Sequence, residues 1–584
     1  MCGIIGYKGD DKAFEVVMNG LKQLEYRGYD SWGIAAIAGD ELKILKDIGK
    51  ISEVQNVDIK SNIAIGHTRW ATHGAVTKIN AHPHFSMSRR IALVHNGIVE
   101  NFRELKQFLE KNGFKFVSET DTEVIPNLIE YFLKDSRDLT EAFRKALLKI
   151  EGSFAVVAID KNTKKIFFGR RGSPLVLGIG ANEYFVASDV PAFLEHTKNA
   201  IYLDDNEYGV IDDKPTIYNL ETNEKIEKKP KLIEWSLEQA KKGPYPHFML
   251  KEILEQKFTV KKAAEQSPEL IKKVTNLLSD AFGIFFVGCG TSYHACVSAS
   301  YQFAHIAKKH VNVVLGSEFR NYEEFLTDKT VMVAVSQSGE TADLLDAVRI
   351  AKSRGVKIIS IVNVMVSTLT RLSDEVIMMN SGPEICVLST KSYTSQLTIL
   401  LLLAYSVAGK LEEGKKLIAK AASHVEELID KNIEEIEELA WQTKDQKDYF
   451  LIGRDLAFPS ALEGALKIKE VSYIHAEGFA GGELKHGTMA LIEKGVPVIT
   501  LSTNETRNLI ISNAMEIKAR GGYIIGIDSQ PNDIFDFYIE VPDVGFANPI
   551  LMIIPVQILA YYLAVARKCD PDKPRNLAKS VTVK

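Results

Sequence analysis

The side chain best suited to nucleophilic chemistry is Cys2, which directly follows the initiator methionine and precedes Gly3. A small second residue permits removal of that methionine, which would leave a thiol and a free α-amine on one residue. Such an amine has a pKa of about 7.7–8.0, so it can accept the thiol proton directly or through a water molecule. The position therefore predicts a self-contained nucleophile and base. A buried, inert cysteine at a strand start is the alternative.

Other polar residues could complete a site around this thiol. Arg69 and Trp70 follow an apolar run in GHTRWATHG, and HNGIVEN places Asn96 and Gly97 between a predicted strand and a predicted helix. An Asn amide and a Gly backbone N–H suit an oxyanion hole. Asp121, predicted at a helix start, could pair with Arg69 to hold the amine and carboxylate of a free amino acid. A tight turn, a helix cap and a surface ion pair are the respective alternatives.

Two polar turns in the C-terminal half resemble each other in composition and context. GCGTS (288–292) and SQSGET (336–341) each follow an apolar run and precede a helical pattern. Glycines and hydroxyl residues there expose backbone N–H groups at a helix N-terminus, which suits a phosphate. Neither turn is a P-loop or a GxGxxG motif, so a dinucleotide is disfavoured. Simple helix capping is the alternative, but two turns at equivalent sheet ends favour ligand binding.

Acid–base candidates lie further along the chain. Glu463, Lys467 and Glu470 are spaced by four and three positions, so one helical face should carry them. A surface salt bridge is the alternative for this face. His486 follows in GGELKHG, and Lys579 lies in a basic tail beyond Pro574, where chain ends are commonly frayed.

The elements that must position these residues change character along the chain. Residues 1–225 contain short apolar runs punctuated by Gly, Asp and Asn, with helical segments at 12–24 and 121–134, which predicts a mixed domain with antiparallel strands. Beyond a charged, proline-containing stretch, buried strand and helix patterns alternate and occur twice in a similar order. This repeat predicts two α/β domains with parallel sheets covered by helices on both faces.

The predicted organisation is therefore multidomain, with an α+β region followed by α/β regions. The predicted boundaries are an N-terminal domain at 2–225, a linker at 226–248, α/β domains at 249–425 and 440–570, and a tail at 571–584.

Composition excludes several classes of function. The net charge of −5 gives no argument for binding nucleic acid or an acidic membrane. The five cysteines are widely spread and form no CxxC pair, which fits a reducing, cytoplasmic setting without a disulfide framework. The apolar stretches 396–409 and 549–566 are too short, or interrupted by Pro555 and Gln557, for a spanning helix, so we expect core helices.

No metal ion or cofactor is predicted. Five histidines of the N-terminal domain suggest a metal site, but no helical carboxylate–histidine motif accompanies them. These are His67, His73, His82, His84 and His95.

The motifs MCGI, LEYRGYDS, GHTRWATHG, HNGIVEN and SETDTEV together resemble the class II glutamine amidotransferases, a family of N-terminal nucleophile enzymes. The resemblance implies an αββα glutaminase fold and attack of Cys2 on the glutamine amide, with Asn96 and Gly97 as the oxyanion hole. It further implies that glutamine binds at Arg27, Arg69, Trp70, Thr72, His73 and Asp121. Trp32 departs from the pattern, because a small residue is expected in YRGYDSWG.

The motifs GCGTSYHA, SQSGETADLL, CVLSTKSYTSQL, LEGALKIKEVSYIHAEGFAGGELKHG and PRNLAKSVTV resemble tandem sugar-isomerase (SIS) domains. Their order behind a glutaminase resembles the isomerizing glutamine–fructose-6-phosphate aminotransferase family. The resemblance implies doubly wound SIS folds and a Schiff base at Lys579. Glu470 would transfer a proton between C1 and C2, His486 would open the sugar ring, and Lys467 would assist. The implied sugar-phosphate contacts are Cys289, Gly290, Thr291, Ser292, Ser336, Gln337, Ser338, Thr341, Val387 and Ala578.

The resemblance also implies partners and a coupling of two reactions. Glutamine would release ammonia that passes Trp70 on its way to fructose 6-phosphate, and glucosamine 6-phosphate and glutamate would form. We expect a homodimer in which His486 reaches a neighbouring subunit. Thr488 stands where the family usually has proline.

Three alternative functions fit the sequence less well. Other glutamine-dependent synthases need phosphoribosyl or pyrophosphate loops that this sequence lacks. A sugar-phosphate-binding regulator should lack Cys2, Glu470 or Lys579, and a sugar deaminase does not need the N-terminal domain.

Overall fold

The computed structural model describes residues 2–10, 12–54, 57, 59–71, 73–136, 138–233, 241–365 and 367–582. The chain divides into two compact units. The first comprises residues 1–240 together with 578–584, and the second comprises residues 241–577.

The first unit contains two antiparallel sheets, whose strands are numbered here in chain order. In the described residues the eight-stranded sheet has the order β15 (Lys231–Leu232), β11 (Asn199–Tyr202), β9 (Val176–Ile179), β10 (Tyr184–Ala187), β1 (Gly3–Lys8), β4 (Ile63–Arg69), β2 (Ser31–Ala38) and β3 (Glu41–Ile48). The seven-stranded sheet has the order β14 (Lys225–Ile226), β13 (Pro215–Asn219), β12 (Glu207–Ile211), β8 (Lys165–Arg171), β7 (Gly152–Asp160), β6 (Ile91–Val99) and β5 (His84–Phe85).

The two sheets pack face to face because their strands are buried on alternating sides. Ala92 and Val94 of β6 belong to an apolar cluster with Ile4 and Ile65 of the other sheet, whereas Leu93 packs among helices. Those helices are Phe102–Lys111, Val124–Ser136 and Leu139–Leu148. The helix Ala13–Gln23 packs on the outer face of the eight-stranded sheet. This αββα arrangement confirms the predicted fold of the N-terminal region.

The second unit contains two five-stranded parallel sheets of the same topology. The first has the order β17 (Asn312–Leu315), β16 (Gly283–Gly288), β18 (Thr330–Ser336), β19 (Lys357–Val362) and β20 (Glu375–Met378). The second has the order β22 (His475–Ala480), β21 (Asp448–Gly453), β23 (Pro497–Leu501), β24 (Tyr523–Asp528) and β25 (Phe537–Glu540). In chain order within each half this is 2-1-3-4-5, a doubly wound topology. The predicted tandem α/β folds are therefore confirmed.

The helices of the second unit surround these sheets. They are Phe248–Leu254, Gln256–Ala264, Pro268–Asp280, Thr291–Gln302, Ala342–Ser353, Thr368–Leu372, Lys391–Val407, Leu411–Thr443, Ala457–Ser472, Arg507–Lys518 and Asn548–Ala566.

Two strongly apolar helices, Lys391–Val407 and Asn548–Ala566, lie in the hydrophobic core of the second unit. The segment Gly545–Ala566 is long and apolar enough to cross a membrane, but 89% of its most apolar window is buried inside the fold. The helix Asn548–Ala566 continues through Pro555 and Gln557 and is buried, so the predicted core helix is confirmed. Gln557 is accommodated because its Oε1 accepts a hydrogen bond of 2.7 Å from Gln256 Nε2.

Candidate functional site

Cys2 directly precedes β1 and lies beside the end of β4. The register pairs Gly3 with Thr68, so the thiol is next to the residues that follow β4. The backbone N–H of Trp70 lies 3.2 Å from Cys2 Sγ, and the Trp70 carbonyl lies 3.4 Å from the same atom. Burial raises the pKa of the Cys2 thiol. The thiol is therefore protonated at neutral pH, and a nearby base must remove its proton before attack.

Asn96 and Gly97 lie next to Cys2, but in a different element from the one predicted. They are part of β6 rather than of a connection between a strand and a helix. Asn96 Nδ2 donates a hydrogen bond of 2.8 Å to the Cys2 carbonyl. Gly97 has a φ of 127°, and a Cβ there would lie 2.0 Å from the Ser153 carbonyl oxygen. Only glycine fits this position, so the backbone N–H of residue 97 is held without a side chain over it.

Arg69 supports the loop that follows β4. Its guanidinium donates hydrogen bonds to the carbonyls of His73, Gly74 at 3.1 Å and Ala75 at 3.2 Å. The structure thus brings Arg69, Trp70 and His73 together near Cys2, whereas the predicted site residue Thr72 lies outside the described residues. Because a guanidinium carries five N–H donors, loop support still leaves Arg69 donors for a ligand carboxylate.

Asp121 and Arg27 both have structural partners. Asp121 Oδ2 accepts a hydrogen bond of 2.8 Å from the Val99 backbone N–H at the end of β6. The following helix begins only at Val124, so Asp121 does not stand at its first residue. Arg27 Nε lies 3.2 Å from Asp189 Oδ2, and the Tyr26 hydroxyl donates to the same oxygen at 2.6 Å. The predicted glutamine contacts of these two residues remain predictions.

Four of the five histidines form a buried cluster behind Asn96. The rings of His67 and His82 are stacked with centroids 4.1 Å apart, and His84 packs edge-on against His82 at 4.7 Å. Burial lowers the pKa of His67 to about 3 and lowers the pKa values of His82, His84 and His95 as well. The cluster is therefore neutral at physiological pH. Within the described ranges, no group of three His, Cys, Asp or Glu side chains could hold a metal ion.

The predicted phosphate turns lie at the carboxyl ends of two adjacent parallel strands. Cys289 and Gly290 follow β16, and the helix Thr291–Gln302 begins directly after them. The Ser292 hydroxyl accepts a hydrogen bond of 3.1 Å from Gln396 Nε2, and Thr291 points toward the second half of the unit. Burial raises the pKa of the Cys289 thiol to about 11, so Cys289 packs as a small apolar residue.

The second turn is preorganised by its own side chains. The Gly339 backbone N–H donates a hydrogen bond of 3.0 Å to the Ser336 hydroxyl, and Thr341 Oγ1 lies 3.4 Å from it. The Glu340 backbone N–H donates to Ser338 Oγ at 3.2 Å. The Gln337 carbonyl accepts from the Asn363 backbone N–H at 3.1 Å, which ties the turn to the end of β19. The turn is thus shaped before any ligand arrives.

The acid–base candidates form a buried network rather than a surface salt bridge. Lys467 Nζ lies 3.2 Å from Glu463 Oε1 and 2.8 Å from Glu470 Oε2, and the Lys467 and Glu463 side chains are 0% exposed. Burial favours a neutral lysine, but the two carboxylates outweigh it and raise the pKa of Lys467. Burial likewise opposes ionisation of Glu463, yet the pKa of Glu463 is lowered because Lys467, His294 and Thr291 stabilise its charged form.

Two members of this network come from the helix Thr291–Gln302, which follows the first predicted phosphate turn. The Thr291 hydroxyl donates to Glu463 Oε1 at 3.0 Å and accepts from Lys467 Nζ at 3.1 Å, and His294 Nδ1 lies 2.8 Å from Glu463 Oε2. Sequence reasoning missed His294. Its position one helical turn after Thr291 was the available signal, because residues three apart share a face.

The start of the C-terminal tail (571–584) is anchored by Asp572, which sequence reasoning also missed. Its carboxylate accepts hydrogen bonds of 2.8 Å from the backbone N–H groups of Phe248 and Met249, and its carbonyl accepts from the Val387 N–H at 3.1 Å. The predicted Val387 contact with sugar phosphate therefore concerns a residue whose N–H is already engaged. No sequence signal marks Asp572, because the helix start that it caps is 324 positions away.

Three predicted residues are not placed in this network. Ala578 and Lys579 group with the first unit, and His486 is exposed at the end of a 3₁₀ helix, Gly481–His486. Their predicted roles stay predictions.

Comparisons with known proteins agree with both regions. A family model for the glutamine amidotransferase domain matches residues 67–195, and a model for the SIS domain matches residues 277–406 and 444–567. A solved C-terminal domain of glucosamine-fructose-6-phosphate aminotransferase from Francisella tularensis is 35% identical with a TM-score of 0.52, and it covers 57% of this chain and 99% of its own. A tagatose-6-phosphate ketose/aldose isomerase from Escherichia coli, at 16% identity and a TM-score of 0.51 over 56% of this chain and 95% of its own, shares the fold.

Curated relatives match along the whole length. Proteins named glutamine–fructose-6-phosphate aminotransferase [isomerizing] from Thermococcus kodakarensis and Pyrococcus horikoshii are 47% and 46% identical, with 100% of both chains covered in each case. The corresponding protein from Methanothermobacter thermautotrophicus is 44% identical over the same coverage. The chain therefore belongs to the isomerizing glutamine–fructose-6-phosphate aminotransferase family.

Proposed function

We propose that this chain converts fructose 6-phosphate and glutamine into glucosamine 6-phosphate and glutamate, the entry reaction of amino-sugar synthesis. The observation that carries the proposal is full-length similarity at 47% identity, combined with the Asn96–Cys2 contact of 2.8 Å in the first unit. No feature of the described residues favours the regulator or deaminase readings.

In the glutaminase half, the α-amine of Cys2, exposed by removal of Met1, takes the thiol proton. The thiolate then attacks the side-chain amide carbon of glutamine, and the tetrahedral oxyanion accepts hydrogen bonds from Asn96 Nδ2 and the Gly97 N–H. Collapse of this intermediate returns the proton to the leaving nitrogen and releases ammonia. Water then hydrolyses the thioester to glutamate. The second Nδ2 hydrogen of Asn96 supports this assignment, since only one is engaged by the Cys2 carbonyl.

Glutamine is held by its α-carboxylate at Arg69 and by its α-amine at Asp121, and Trp70, Thr72 and His73 are its further contacts. The support for these roles is that Arg69 already orders the carbonyls of residues 73–75. Arg27 acts from further away, because its ion pair with Asp189 stabilises the segment beside the thiol.

In the sugar half, the phosphate binds at the two turns after β16 and β18. Lys579 forms an imine with C2 of the ketose, which acidifies the C1 hydrogens. Glu470 moves a proton between C1 and C2, and His486 assists ring opening. The 2.8 Å contact between Glu470 and Lys467 supports this role, because it holds the carboxylate in place beside a buried cation.

Product analysis tests the whole proposal. Purified protein given glutamine and fructose 6-phosphate should form glucosamine 6-phosphate and glutamate in equal amounts. Cys2→Ala should abolish both products, whereas Lys579→Ala should abolish only the amino sugar and retain glutamate release. Intact-mass analysis should show a chain lacking Met1. Amino-sugar formation from a chain that retains Met1 would contradict the Cys2 mechanism.

The finer organisation is also part of the proposal. The units contain domains at 2–225, 249–425 and 440–570, joined by the linker 226–248 and followed by the tail 571–584. Residues 234–240 of the linker lie outside the described residues.

The protein is a cytoplasmic homodimer that binds neither nucleic acid nor membrane, which the five free cysteines and the net charge of −5 support.

Light scattering and complementation test the dimer. If His486 serves the partner's site, mixed dimers of His486→Ala and Lys579→Ala subunits should recover activity that neither parent has. Recovery at no mixing ratio would argue against a shared site.

A further inference from the structure

His67 is a fully buried residue of β4 that contacts the proposed oxyanion-hole residue Asn96. Its Nε2 lies 3.1 Å from Asn96 Oδ1 and 3.1 Å from the His95 carbonyl oxygen. Both neighbours can only accept, so the imidazole must carry its hydrogen on Nε2. Among the residues that the structure describes, the buried Nδ1 has no hydrogen-bond partner. Burial, which lowers the pKa of His67 to about 3, keeps this single tautomer neutral.

This hydrogen determines which way the Asn96 amide faces. In the observed orientation Oδ1 accepts from His67, and Nδ2 donates to the Cys2 carbonyl at 2.8 Å. A flipped amide would set Oδ1 against the Cys2 carbonyl and set its own N–H groups against the His67 N–H. Both contacts would be repulsive in a buried environment, since Asn96 is 3% exposed. The observed orientation also places Nδ2, with its two hydrogens, on the Cys2 side of the amide.

His67 is itself held rigidly. Its ring stacks on His82 with centroids 4.1 Å apart and an interplanar angle of 14°, and its backbone pairs with Ile4 in β1 and Gly33 in β2. A donor fixed on both sides can orient a neighbour without moving during the reaction.

We propose that His67 is a positioning residue for the glutaminase reaction, which locks the Asn96 amide so that Nδ2 faces the oxyanion. The inference rests on the proposed function, because it needs Asn96 to act as an oxyanion donor. It assigns His67 no contact with glutamine.

The test compares His67 variants that differ in where they place a donor. Loss of an oxyanion donor costs about 10²–10³ in kcat, so Asn96→Ala should fall in that range. His67→Leu should lower the kcat for glutamate release by about 10- to 100-fold with little change in KM, because the amide is then free to flip. His67→Gln, whose amide reaches the Nε2 position, should recover most of the rate. His67→Asn, which reaches only the Nδ1 position, should resemble His67→Leu.

A double variant separates positioning from general damage. In the Asn96→Ala background, His67→Leu should lower kcat no further, because no amide remains to be oriented. His84→Gln is the matched control, since His84 is an equally buried member of the cluster that bonds Thr120 Oγ1 at 3.1 Å. It should keep kcat within about threefold of the parent.

The outcomes distinguish two failures. An unchanged rate in Asn96→Ala would defeat the proposed oxyanion role. If Asn96→Ala lowers kcat strongly but His67→Leu leaves kcat unchanged, the positioning role alone is overturned. The same holds if His67→Leu lowers kcat by the same factor in the parent and in the Asn96→Ala background. If His67→Leu does not fold, the test compares His67→Gln with His67→Asn. The positioning role is overturned if kcat for His67→Gln is no higher than kcat for His67→Asn.

Discussion

The two halves of the second unit have the same sheet order but carry different chemistry. At the end of its first strand in the chain, one half has Gly288, Cys289 and Gly290, whereas the other has Gly453, Arg454 and Asp455. At the end of its third strand in the chain, the first half places Ser336, whose hydroxyl accepts a hydrogen bond from the Gly339 backbone N–H. In the second half, the equivalent Ser502 donates to Asp528, which pairs with Arg507 at 3.0 Å.

The two helices that follow the first strands, Thr291–Gln302 and Ala457–Ser472, pack against each other. The first contributes the Thr291 hydroxyl, the His294 imidazole and the backbone N–H groups of its N-terminus. The second contributes Glu463, Lys467 and Glu470. They share one network because Thr291 bonds both Glu463 and Lys467. The comparison teaches that the duplicated fold supplies equivalent positions, while the residues at those positions separate anion binding from proton transfer.

The largest expected effect is the loss of Lys467. Lys467→Met removes the cation between two carboxylates in a site that is 0% exposed. Removal of one partner from a buried pair costs about 3–5 kcal/mol, so the C-terminal unit should lose that much free energy of unfolding in urea. Lys469→Met, on the exposed face of the same helix, is the control and should change it by less than about 0.5 kcal/mol. Equal effects for both variants would contradict a buried network.

The pH dependence of the free energy of unfolding should show the contribution of Glu463, the buried carboxylate of the second half. The folded-state pKa of Glu463 is lowered from its ordinary value of 4.5, so its ionised form stabilises the fold above that value. This contribution should disappear as the pH falls below about 4.5 and toward the folded-state pKa. Between pH 7 and pH 3.5, the free energy of unfolding should therefore fall more steeply for the parent than for Glu463→Gln. Parallel curves would show that Glu463 does not contribute.

Equivalent serines should have unequal effects on substrate binding. Ser336→Ala removes a hydroxyl that shapes the phosphate turn, so the KM for fructose 6-phosphate should rise about tenfold, the effect of about 1.4 kcal/mol, within the range for a hydrogen bond to a charged group. Ser502→Ala should leave that KM unchanged, because its hydroxyl bonds Asp528 at 2.6 Å. Steady-state kinetics at saturating glutamine measure both. A similar rise in the two variants would mean that both halves bind phosphate.

The smallest effect is expected for an exposed ion pair of the first half. Lys357 and Asp374 lie 3.2 Å apart, with side chains 54% and 31% exposed. Lys357→Met should change the free energy of unfolding by less than about 1 kcal/mol, because solvent screens both charges. A urea titration that gives a loss comparable to Lys467→Met would show that burial does not distinguish the two networks.

Apolar periodicity predicted antiparallel strands with helices in the N-terminal region and two parallel α/β domains after it. The family resemblance added the αββα and doubly wound folds, which the structure confirms. The common helical face of Glu463, Lys467 and Glu470 was also correct. The Asn96–Gly97 pair was predicted to lie between a strand and a helix, with a tight turn as the alternative. In the structure, pairing with β7 keeps both residues in β6, with Gly97 taking the positive φ.

The amino-acid sequence determined the local elements, the reactive residue types and the family, since each depends on spacing and composition over short stretches. The tertiary structure decided which groups are buried and which meet across the chain. His67 meets Asn96, His294 meets Glu463 and Asp572 caps the helix Phe248–Leu254 only after folding. The physical reason is that desolvation and hydrogen bonding act through space, so neither a group's pKa nor its partner can be read from its neighbours in sequence.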